Sequence, residues 1–145
     1  MRLSWDEYFF EILYVIRKRA TCNRGHNACI IVRDNHILTT GYVGSPSKAP
    51  HCVESGHWLI NDSCIRTLHA ESNAIAQSAK LGISIKNAQL YTFLFPCLSC
   101  AKLIIQSGII EVKAEYDYHK SEHSKIFFDQ VNIPWQIRKK IIYNY

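Results

Sequence analysis

Apolar residues near the start of the chain recur at every third or fourth position, which is the spacing of one helix face. Ser4 and Glu7 form a capping-box sequence at the beginning of this stretch, and such a box satisfies backbone groups at a helix start. The apolar positions are Trp5, Phe9, Ile12 and Ile16. This pattern predicts a helix over residues 5–19.

Two short apolar runs come next. "ACIIV" at 28–32 and "HILTTGY" at 36–42 flank the turn sequence Asp34-Asn35, and this arrangement predicts a hairpin of two β-strands. Residues 41–62 then crowd Gly, Ser, Pro, His and Cys together with no apolar period, which predicts a loop without secondary structure of its own. A loop of this length is uncommon in a compact domain unless it is functional or held in place by something.

Helices and strands alternate in the rest of the chain, and two of the predicted helices end at Gly82 and Gly108. Such alternation predicts a parallel stretch of sheet with helices packed against it. The predicted fold class is therefore α/β, an α/β/α sandwich of three layers if helices cover both faces. The tail at 134–145 fits a short strand, a short helix or a docked extension. The predicted elements are a helix over 66–80, a strand over 88–95, a helix over 97–107, a strand over 109–116 and a helix over 121–130.

Length and composition indicate one domain. With 145 residues, 48% of them hydrophobic and 20% charged, the chain suits a single globular domain, which we place at residues 1–145. No apolar run approaches the roughly 20 residues that span a bilayer, and the first residues lack the cleavage site of a signal peptide. These features predict a soluble, cytoplasmic protein. Six cysteines without an export signal then indicate reduced thiols that bind metal or take part in chemistry.

The formal net charge of +5 does not by itself identify a partner. Part of it comes from Arg138, Lys139 and Lys140 near the end of the chain. This distribution suits an anionic small ligand, a nucleic acid or a merely solvated surface about equally well.

Three side chains form a candidate metal site. Cys97 and Cys100 lie three positions apart at the start of a predicted helix, so both thiolates face the same way and gain from the helix N-terminus. His69, near the start of the preceding helix, supplies a third zinc ligand. Three protein ligands leave one tetrahedral position open for water, which is the arrangement of a catalytic zinc.

Glu71 is the candidate proton carrier. It lies two residues after His69, too close to ligate comfortably beside it, but it can hydrogen-bond whatever occupies the open position. The combination H-x-E followed by P-C-x-x-C is the signature of zinc-dependent nucleobase deaminases. In that chemistry zinc lowers the pKa of water to about 7, hydroxide attacks C4 of cytosine, and the glutamate protonates N3 and then the departing amine.

Each part of this motif has a less specific interpretation when taken alone. A single C-x-x-C also occurs in redox and structural zinc sites, and a single histidine on a helix is usually a core or surface residue. Glu71 is an ordinary solvated carboxylate at a helix start if His69 is not a ligand. The joint pattern, with a strand before the Cys pair and an H-x-E helix ahead of it, favours the deaminase interpretation.

Longer stretches around these motifs resemble the deoxycytidylate (dCMP) deaminase family, within the cytidine deaminase-like superfamily. "TGYVGSPSKAPHC" is similar to the family's T-G-Y-N-G-x-P-x-G-x-x-H-C, "CIRTLHAESNAI" to C-x-R-T-x-H-A-E-x-N-A-I, and "FPCLSCAKLIIQSGI" to P-C-x-x-C-A-K-x-I-I-x-x-G-I. The resemblance covers roughly residues 5–120. It implies a mixed central sheet of about five strands between helices, and conversion of dCMP to dUMP with release of ammonia. It also implies homo-oligomers, commonly hexamers, that dCTP activates and dTTP inhibits together with Mg²⁺.

The chain departs from the family pattern at three positions near the expected nucleotide. Val43 replaces an asparagine whose amide suits a sugar contact, and Asn27 lies where the family has the glycine of V-G-A. Asn27 is therefore a candidate substrate contact or a turn residue. Lys48 replaces a loop glycine and adds a cation beside the nucleotide site. The last two changes suit a longer phosphate chain, so dCTP is a second candidate substrate.

Two positions that match the family pattern are further candidates for substrate binding. Asn73, two residues after Glu71, can reach the sugar or phosphate, or is an exposed helix amide. Tyr118 lies where the family has an aromatic residue close to the nucleotide. An aromatic face can hold a base or ribose, but a tyrosine at a strand end is more often part of the core or rim.

The remaining cysteines suggest a second, structural zinc. Family members that contain cysteine carry it at the places corresponding to Cys22, Cys52 and Cys64, with His57 at a further such place. Four such ligands satisfy a closed tetrahedral site and hold the long loop in place. His51 is the substitute if His57 points away, and buried, inert thiols are the alternative. Cys29 is predicted to lie in the core.

Two other functions remain to be distinguished. A deaminase of tRNA or single-stranded DNA has the same chemistry but needs a basic groove with stacking aromatic residues. The positive charges near the end of the chain and the nucleotide-type loop make nucleic acid the less favoured substrate. A zinc-stabilised binding module without turnover has no need of Glu71 beside an open coordination position.

Overall fold

The computed structural model describes residues 1–143. Five helices and seven strands form in this part of the chain, in addition to a 3-10 turn at Arg17–Arg19. The helices are α1 (Trp5–Ile16), α2 (Cys52–Ser55), α3 (Ala70–Leu81), α4 (Leu98–Gln106) and α5 (Glu122–Gln130). The strands are β1 (Ala28–Arg33), β2 (His36–Tyr42), β3 (Leu59–Ile60), β4 (Ser63–Cys64), β5 (Gln89–Leu94), β6 (Glu111–Asp117) and β7 (Trp135–Ile142).

The central sheet has five strands in the order β2-β1-β5-β6-β7. β1 pairs antiparallel with both β2 and β5, whereas β5, β6 and β7 are parallel neighbours. The parallel pairs follow from the helices that separate their strands along the chain, since a parallel connection needs a crossover. The mixed sheet of about five strands is thereby confirmed.

Helices cover both faces of the sheet. On one face α1 buries Phe9, Phe10 and Leu13 against alternate residues of β1 and against Tyr91 of β5. On the other face a second core gathers residues of α3, α4 and α5, including Ala74, Ile104 and Phe128. Cys29 is fully buried in this second core, as predicted. The three-layer α/β/α arrangement is therefore confirmed.

The helix predicted over 66–80 begins later than expected, at Ala70. His69 has an extended backbone, with φ −67° and ψ 153°, and acts as the N-cap residue. Leu68 donates its backbone N–H to Gly44 and forms a β-bridge with it, so residues 66–69 are held against the loop instead of winding into the helix. The prediction of helix over 66–69 was wrong for this reason.

The loop predicted over 41–62 also contains regular structure. The short helix α2 and the two-stranded sheet of β3 and β4 lie in and just after it, and their sequences are too short to show an apolar period. The predicted first helix ends at Ile16 and tightens into the 3-10 turn. The tail forms the edge strand β7, while the predictions for residues 144–145 lie outside the described residues. Within residues 1–143, no helix combines the length and apolar character that a membrane crossing needs.

Candidate active site

His69, Cys97 and Cys100 meet between the starts of two helices, and we call them the three-ligand cluster. His69 is the N-cap residue of α3 and Cys97 is the N-cap residue of α4, with Cys100 in the first turn of α4. His69 Nδ1 lies 3.3 Å from Cys97 Sγ and 3.5 Å from Cys100 Sγ. Zinc bonds of about 2.3 Å to sulfur and about 2.0 Å to nitrogen at tetrahedral angles place such atoms about 3.5 Å apart. The donor set and its spacing therefore fit zinc.

Hydrogen bonds within the three-ligand cluster prepare it for a cation. A hydrogen bond from Cys100, helped by His69, lowers the pKa of Cys97 to about 4. The hydrogen bond with Cys97 in turn raises the pKa of His69 to about 9. The N-terminus of α4 adds a positive dipole end next to both sulfurs. A thiolate at Cys97 is the form of the side chain that binds a metal.

Glu71 lies in the first turn of α3 with only 2% of its surface exposed. Burial raises the pKa of its carboxyl group, although the charge of His69 opposes that rise. A raised pKa makes a carboxylate a stronger base, and this favours its use as a proton carrier. Glu71 therefore has the environment of a general acid and base, directly beside the three-ligand cluster.

Two polar side chains contact the Glu71 carboxylate from the sheet. The side-chain amide of Asn27, just before β1, donates to Oε1 across 3.3 Å. The hydroxyl of Thr92, on β5, lies 3.1 Å from the same oxygen. Both side chains are buried, since Asn27 is 8% exposed and Thr92 is 0% exposed. The catalytic candidate is thus held against the sheet through one of its two oxygens.

A cavity of about 230 Å³ opens in front of Glu71. Its inner wall includes Asn27, Val43 and Glu71, and its apolar side includes Leu94 and Phe95. The cavity lies where β5 and β6 reach their carboxyl ends, which is the usual place for a ligand in an open α/β sheet. The rim carries Arg24, Tyr118, His119 and Lys120.

Asp117 shapes the part of the rim that follows β6. Its carboxylate accepts hydrogen bonds from the backbone N–H of Tyr118, from the hydroxyl of Ser121 and from the ammonium of Lys125. Burial alone would raise the pKa of Asp117, but these hydrogen bonds hold it below its ordinary value. The Tyr118 and His119 rings contact each other with centroids 4.6 Å apart. A fixed turn therefore presents an aromatic ring and two basic side chains to the cavity.

The remaining predicted ligands form a second group, which we call the four-ligand cluster. Cys22, Cys52, His57 and Cys64 place one ligand atom each within 4.8 Å of one another. Cys22 Sγ lies 3.5 Å from His57 Nδ1, and Cys52 Sγ lies 3.6 Å from Cys64 Sγ. Tetrahedral zinc bound by two thiolates separates their sulfurs by about 3.8 Å. The spacing fits a zinc ion with no open position.

The cavity separates the two clusters only in part. Cys22 and Cys64 line it on one side, while His69 and Cys97 line it on the other. Arg24, two residues after Cys22, forms an ion pair of 2.9 Å with Asp62, two residues before Cys64. Both side chains of this pair also line the cavity. The four-ligand cluster therefore adjoins the rim of the candidate active site.

Three candidate residues lie outside the cavity lining or the ligand cluster for which they were considered. Asn73 donates to the backbone carbonyl of Tyr42 on β2, because two residues of helix turn it about 200° away from Glu71. His51 is the N-cap residue of α2 and is not part of the four-ligand cluster, which takes His57. Lys48 is exposed and has a left-handed backbone conformation, with φ 71°. Glycine adopts this conformation most easily, which accounts for the glycine of the family pattern without any contact to substrate.

Sequence reasoning missed several residues that line the cavity or touch Glu71. Thr92 carried a weak signal, as a hydroxyl inside the otherwise apolar strand "QLYTFL". Arg24, His119 and Lys120 carried none, because isolated basic residues in loops are common on any surface. The fold brings these three basic residues to the cavity rim, although the sequence pointed to positive charge at Arg138, Lys139 and Lys140.

Comparison with known proteins agrees with this geometry. The sequence model of the family described as "Cytidine and deoxycytidylate deaminase zinc-binding region" matches residues 3–115. ComE operon protein 2 of Bacillus subtilis (strain 168) is 38% identical over 132 residues, which cover 91% of this chain and 70% of that protein. Deoxycytidylate deaminase of Schizosaccharomyces pombe is 34% identical over 97% of this chain, but the chain spans only 45% of that enzyme.

Among solved structures, the dCMP deaminase of the cyanophage S-TIM5 in complex with dCMP and dUMP superposes with a TM-score of 0.81. The two proteins are 25% identical, and the match covers 94% of this chain and 98% of that one. Residues 3–115, which the family model matches, include the three-ligand cluster, Glu71 and all of the cavity lining except Tyr118, His119 and Lys120. The chain therefore belongs to the deoxycytidylate deaminase family, within the cytidine deaminase-like superfamily, as its motifs predicted.

Proposed function

We propose that this protein hydrolyses dCMP to dUMP and ammonia. The observation that supports this most directly is a buried Glu71 beside three zinc-type ligands at the end of a small cavity. In the overall reaction water adds at C4 of cytosine, the C4–N bond breaks, and the amine leaves as ammonia. A relative from Schizosaccharomyces pombe is named deoxycytidylate deaminase, and a similar structure contains dCMP and dUMP.

The residues of the chain divide the work as follows. His69, Cys97 and Cys100 would hold zinc, which when bound supplies Lewis-acid activation of water. Glu71 accepts the proton that the attacking water loses and delivers it to N3, and it then takes the second proton from the hydroxyl group added at C4 and delivers it to the departing amine. Its burial keeps bulk water away from these transfers and raises the pKa of its carboxyl group.

The rim suits a phosphate attached to a small nucleoside. Arg24, His119 and Lys120 offer basic groups at the cavity opening, and guanidinium and ammonium groups are the usual partners of phosphate. Tyr118 offers a ring face for the base or sugar, and Val43 adds an apolar surface to the wall. A cavity of about 230 Å³ suits a single nucleotide better than an extended polynucleotide.

The decisive assay is ammonia release from dCMP, dCTP, deoxycytidine and a cytosine-containing oligonucleotide. We expect dCMP to have the highest kcat/KM, deoxycytidine to lose affinity for want of a phosphate, and the oligonucleotide to be inert. Turnover of dCTP remains a prediction that the same assay tests. A preference for the oligonucleotide would replace this proposal with polynucleotide deamination.

A catalytic function also requires Glu71. Changing Glu71 to Gln removes the proton carrier while keeping the size of the side chain, and should lower kcat by about 10² to 10⁴. Zinc content should stay at the wild-type level, because Glu71 is not among the three ligands. If this variant kept the wild-type turnover, Glu71 would not be the proton carrier. The protein would then be better described as a zinc-binding module, and the ammonia release would have another source.

We further propose that the four-ligand cluster binds a structural zinc. Three thiols and one imidazole with the spacing of a tetrahedral site support this, as does the pKa of Cys64. Burial alone would raise that pKa, but backbone hydrogen bonds with Arg66 and Trp58 hold it at about 6. Elemental analysis of purified protein should find about two zinc ions per chain. One zinc, with Cys22, Cys52 and Cys64 open to alkylation, would exclude this site.

The other expectations from the family resemblance stay proposals. They are a single domain over residues 1–145, a homohexamer, activation by dCTP, inhibition by dTTP with Mg²⁺, and a cytoplasmic location. Sedimentation with and without dCTP and dTTP, followed by the ammonia assay under the same conditions, tests the assembly and the regulation together.

A further inference from the structure

The amide of Asn27 has only one possible orientation. Its Oδ1 accepts from the backbone N–H of Ala28 at 2.9 Å and from that of Leu94 at 3.0 Å. Both donors are fixed by the strands that carry them, and an NH₂ group at this position would face two N–H groups with no acceptor. The nitrogen is therefore the atom that faces Glu71 Oε1, 3.3 Å away.

Thr92 is a less constrained donor to Glu71, because its hydroxyl carries a single proton for which several acceptors compete. Four oxygens lie within reach of Thr92 Oγ1, and the carbonyl of Leu94 is the nearest at 2.9 Å. The others are Glu71 Oε1 at 3.1 Å, the Ala28 carbonyl at 3.3 Å and Asn27 Oδ1 at 3.4 Å. A hydroxyl that donates to Leu94 has no proton left for the glutamate. Asn27 is thus the side chain whose donation to Glu71 is enforced by its surroundings.

We propose that Asn27 is a positioning residue for the deamination reaction, which holds Oε1 of Glu71 so that the other carboxylate oxygen faces the reacting water and base. This inference rests on the proposed function and revises the expectation that Asn27 binds substrate. The amide is buried at the junction of β1 and β5 with three of its hydrogen bonds directed at protein atoms. A carboxylate fixed at one oxygen keeps its place while protons pass through the other.

Two substitutions separate this role from its alternatives. Asn27→Asp keeps an oxygen for the N–H groups of Ala28 and Leu94 but removes the donor to Glu71. Asn27→Ala removes both functions. Positioning predicts that each variant lowers kcat by about 10- to 100-fold, as is usual when a hydrogen-bond partner behind a catalytic group is lost, with KM for dCMP and zinc content at the wild-type level.

Thr39→Val is the matched control. Thr39 is also buried and donates to α3, at the carbonyl of Ala74, 3.1 Å away, but it does not line the cavity. This variant should lose thermal stability while keeping the wild-type kcat. It therefore measures what the loss of one buried hydrogen bond onto α3 does by itself.

The measurements are kcat and KM from ammonia release at saturating and limiting dCMP, with zinc content and thermal midpoint for each variant. A raised KM with unchanged kcat would overturn the proposal in favour of a direct substrate contact. A lowered midpoint with unchanged kcat would overturn it in favour of a purely structural role. Should Asn27→Asp fail to fold, Asn27→Ala gives the same kcat test. Failure of the proposed function is distinct, because the wild-type protein would then release no ammonia from any of the nucleotides.

Discussion

The two Cys/His clusters border one cavity, but one lies on helices held by the core and the other lies on loop segments. The three-ligand cluster stands on the first residues of α3 and α4, which the second core holds in place. The four-ligand cluster joins the segment after α1, the short helix α2 and the β3–β4 hairpin, and these have few core residues of their own. Helices that the core already holds in place can leave one coordination position of a metal open. Loop segments without a core of their own need all four ligands bound to the metal to stay in place.

The two clusters therefore differ in what the loss of a bound metal would change. Glu71 lies beside the three-ligand cluster, so loss of a metal there would remove the chemistry. Within residues 1–143 the four-ligand cluster has no such buried carboxylate beside it, so loss of a metal there would loosen the segments that carry Arg24 and Asp62 to the rim. The comparison therefore predicts a loss of turnover in one case and of stability and substrate affinity in the other.

Cys100→Ala gives the largest expected effect. It removes one of three ligands from the open site, so ammonia release should fall to the background rate and zinc content should fall by about one ion per chain. The thermal midpoint should fall as well, because a zinc ion that binds only the folded state also stabilises it, so the loss of turnover is what distinguishes this variant. Retained turnover would contradict a catalytic role for this cluster.

Cys52→Ala should have the next largest effect, and it should change stability and the affinity for dCMP while leaving kcat unchanged. A bound metal at about 1,000 times its Kd stabilises a fold by about 4 kcal/mol. Its loss should lower the thermal midpoint by roughly 10 °C for a chain of this size. Below that midpoint kcat should hold while KM for dCMP rises, since the rim is less ordered. Calorimetry and the ammonia assay measure both, and an unchanged midpoint would argue for inert thiols.

Gly41→Ala tests how rigidly the first scaffold is placed. An added Cβ at Gly41 would overlap the carbonyl oxygen of Ala70 and lie 2.5 Å from the backbone nitrogen of Ala74. α3 must then shift, at a cost of about 1–3 kcal/mol, and it takes His69 and Glu71 with it. A misplacement near 1 Å can lower kcat about 100-fold.

Gly25→Ala is the stability control for that change, because no atom lies within 4 Å of a Cβ added there. Urea unfolding of both variants should show a loss for Gly41 only. Equal stability of the two would mean that β2 and α3 can separate freely.

Asp6→Asn concerns neither cluster and should give the smallest effect. Asp6 accepts from Tyr91 and Lys113 and ties α1 to the sheet. Its side chain is 43% exposed, so solvent screening limits the contribution to less than about 1 kcal/mol. Turnover and zinc content should match the wild type, which makes this variant a baseline for the other three.

The pH dependence of this contact has a definite sign. Burial opposes the shift, but hydrogen bonds from Tyr91 and Lys113 hold the pKa of Asp6 below its ordinary value of 3.8. A lowered folded pKa gives stability that is present above pH 3.8 and is lost as the pH falls through the folded value. The difference in unfolding free energy between wild type and Asp6→Asn should therefore shrink below about pH 4, as urea titrations at several pH values can measure.

Elements and site residues that follow a local hydrophobic period or a short motif could be predicted from the sequence. The period of Trp5, Phe9 and Ile12 predicts α1, and the strands on either side of Asp34-Asn35 appear as expected. His69, Cys97 and Cys100 could be grouped because short spacings on helix starts restrict where their side chains point.

The remaining features depend on contacts between distant parts of the chain. Thr92 reaches Glu71 because the fold brings the start of α3 close to the middle of β5, and Arg24 forms an ion pair with Asp62 at the rim. The start of α3 at Ala70 depends on the bridge between Leu68 and Gly44. No local pattern encodes these pairings, which is why the predicted start of α3 was misplaced and why the contact between Asn73 and Tyr42 could not be foreseen.

The ion pair between Arg24 and Asp62 also bears on how the protein matures. β1 and β2 form a local hairpin within the segment between Cys22 and Cys52, so this hairpin can form before these cysteines meet. On the proposal that the four-ligand cluster binds zinc, closure of the cluster would hold Arg24 and Asp62 at the rim. The affinity of a newly made chain for nucleotide would then depend on the supply of zinc as well as on folding.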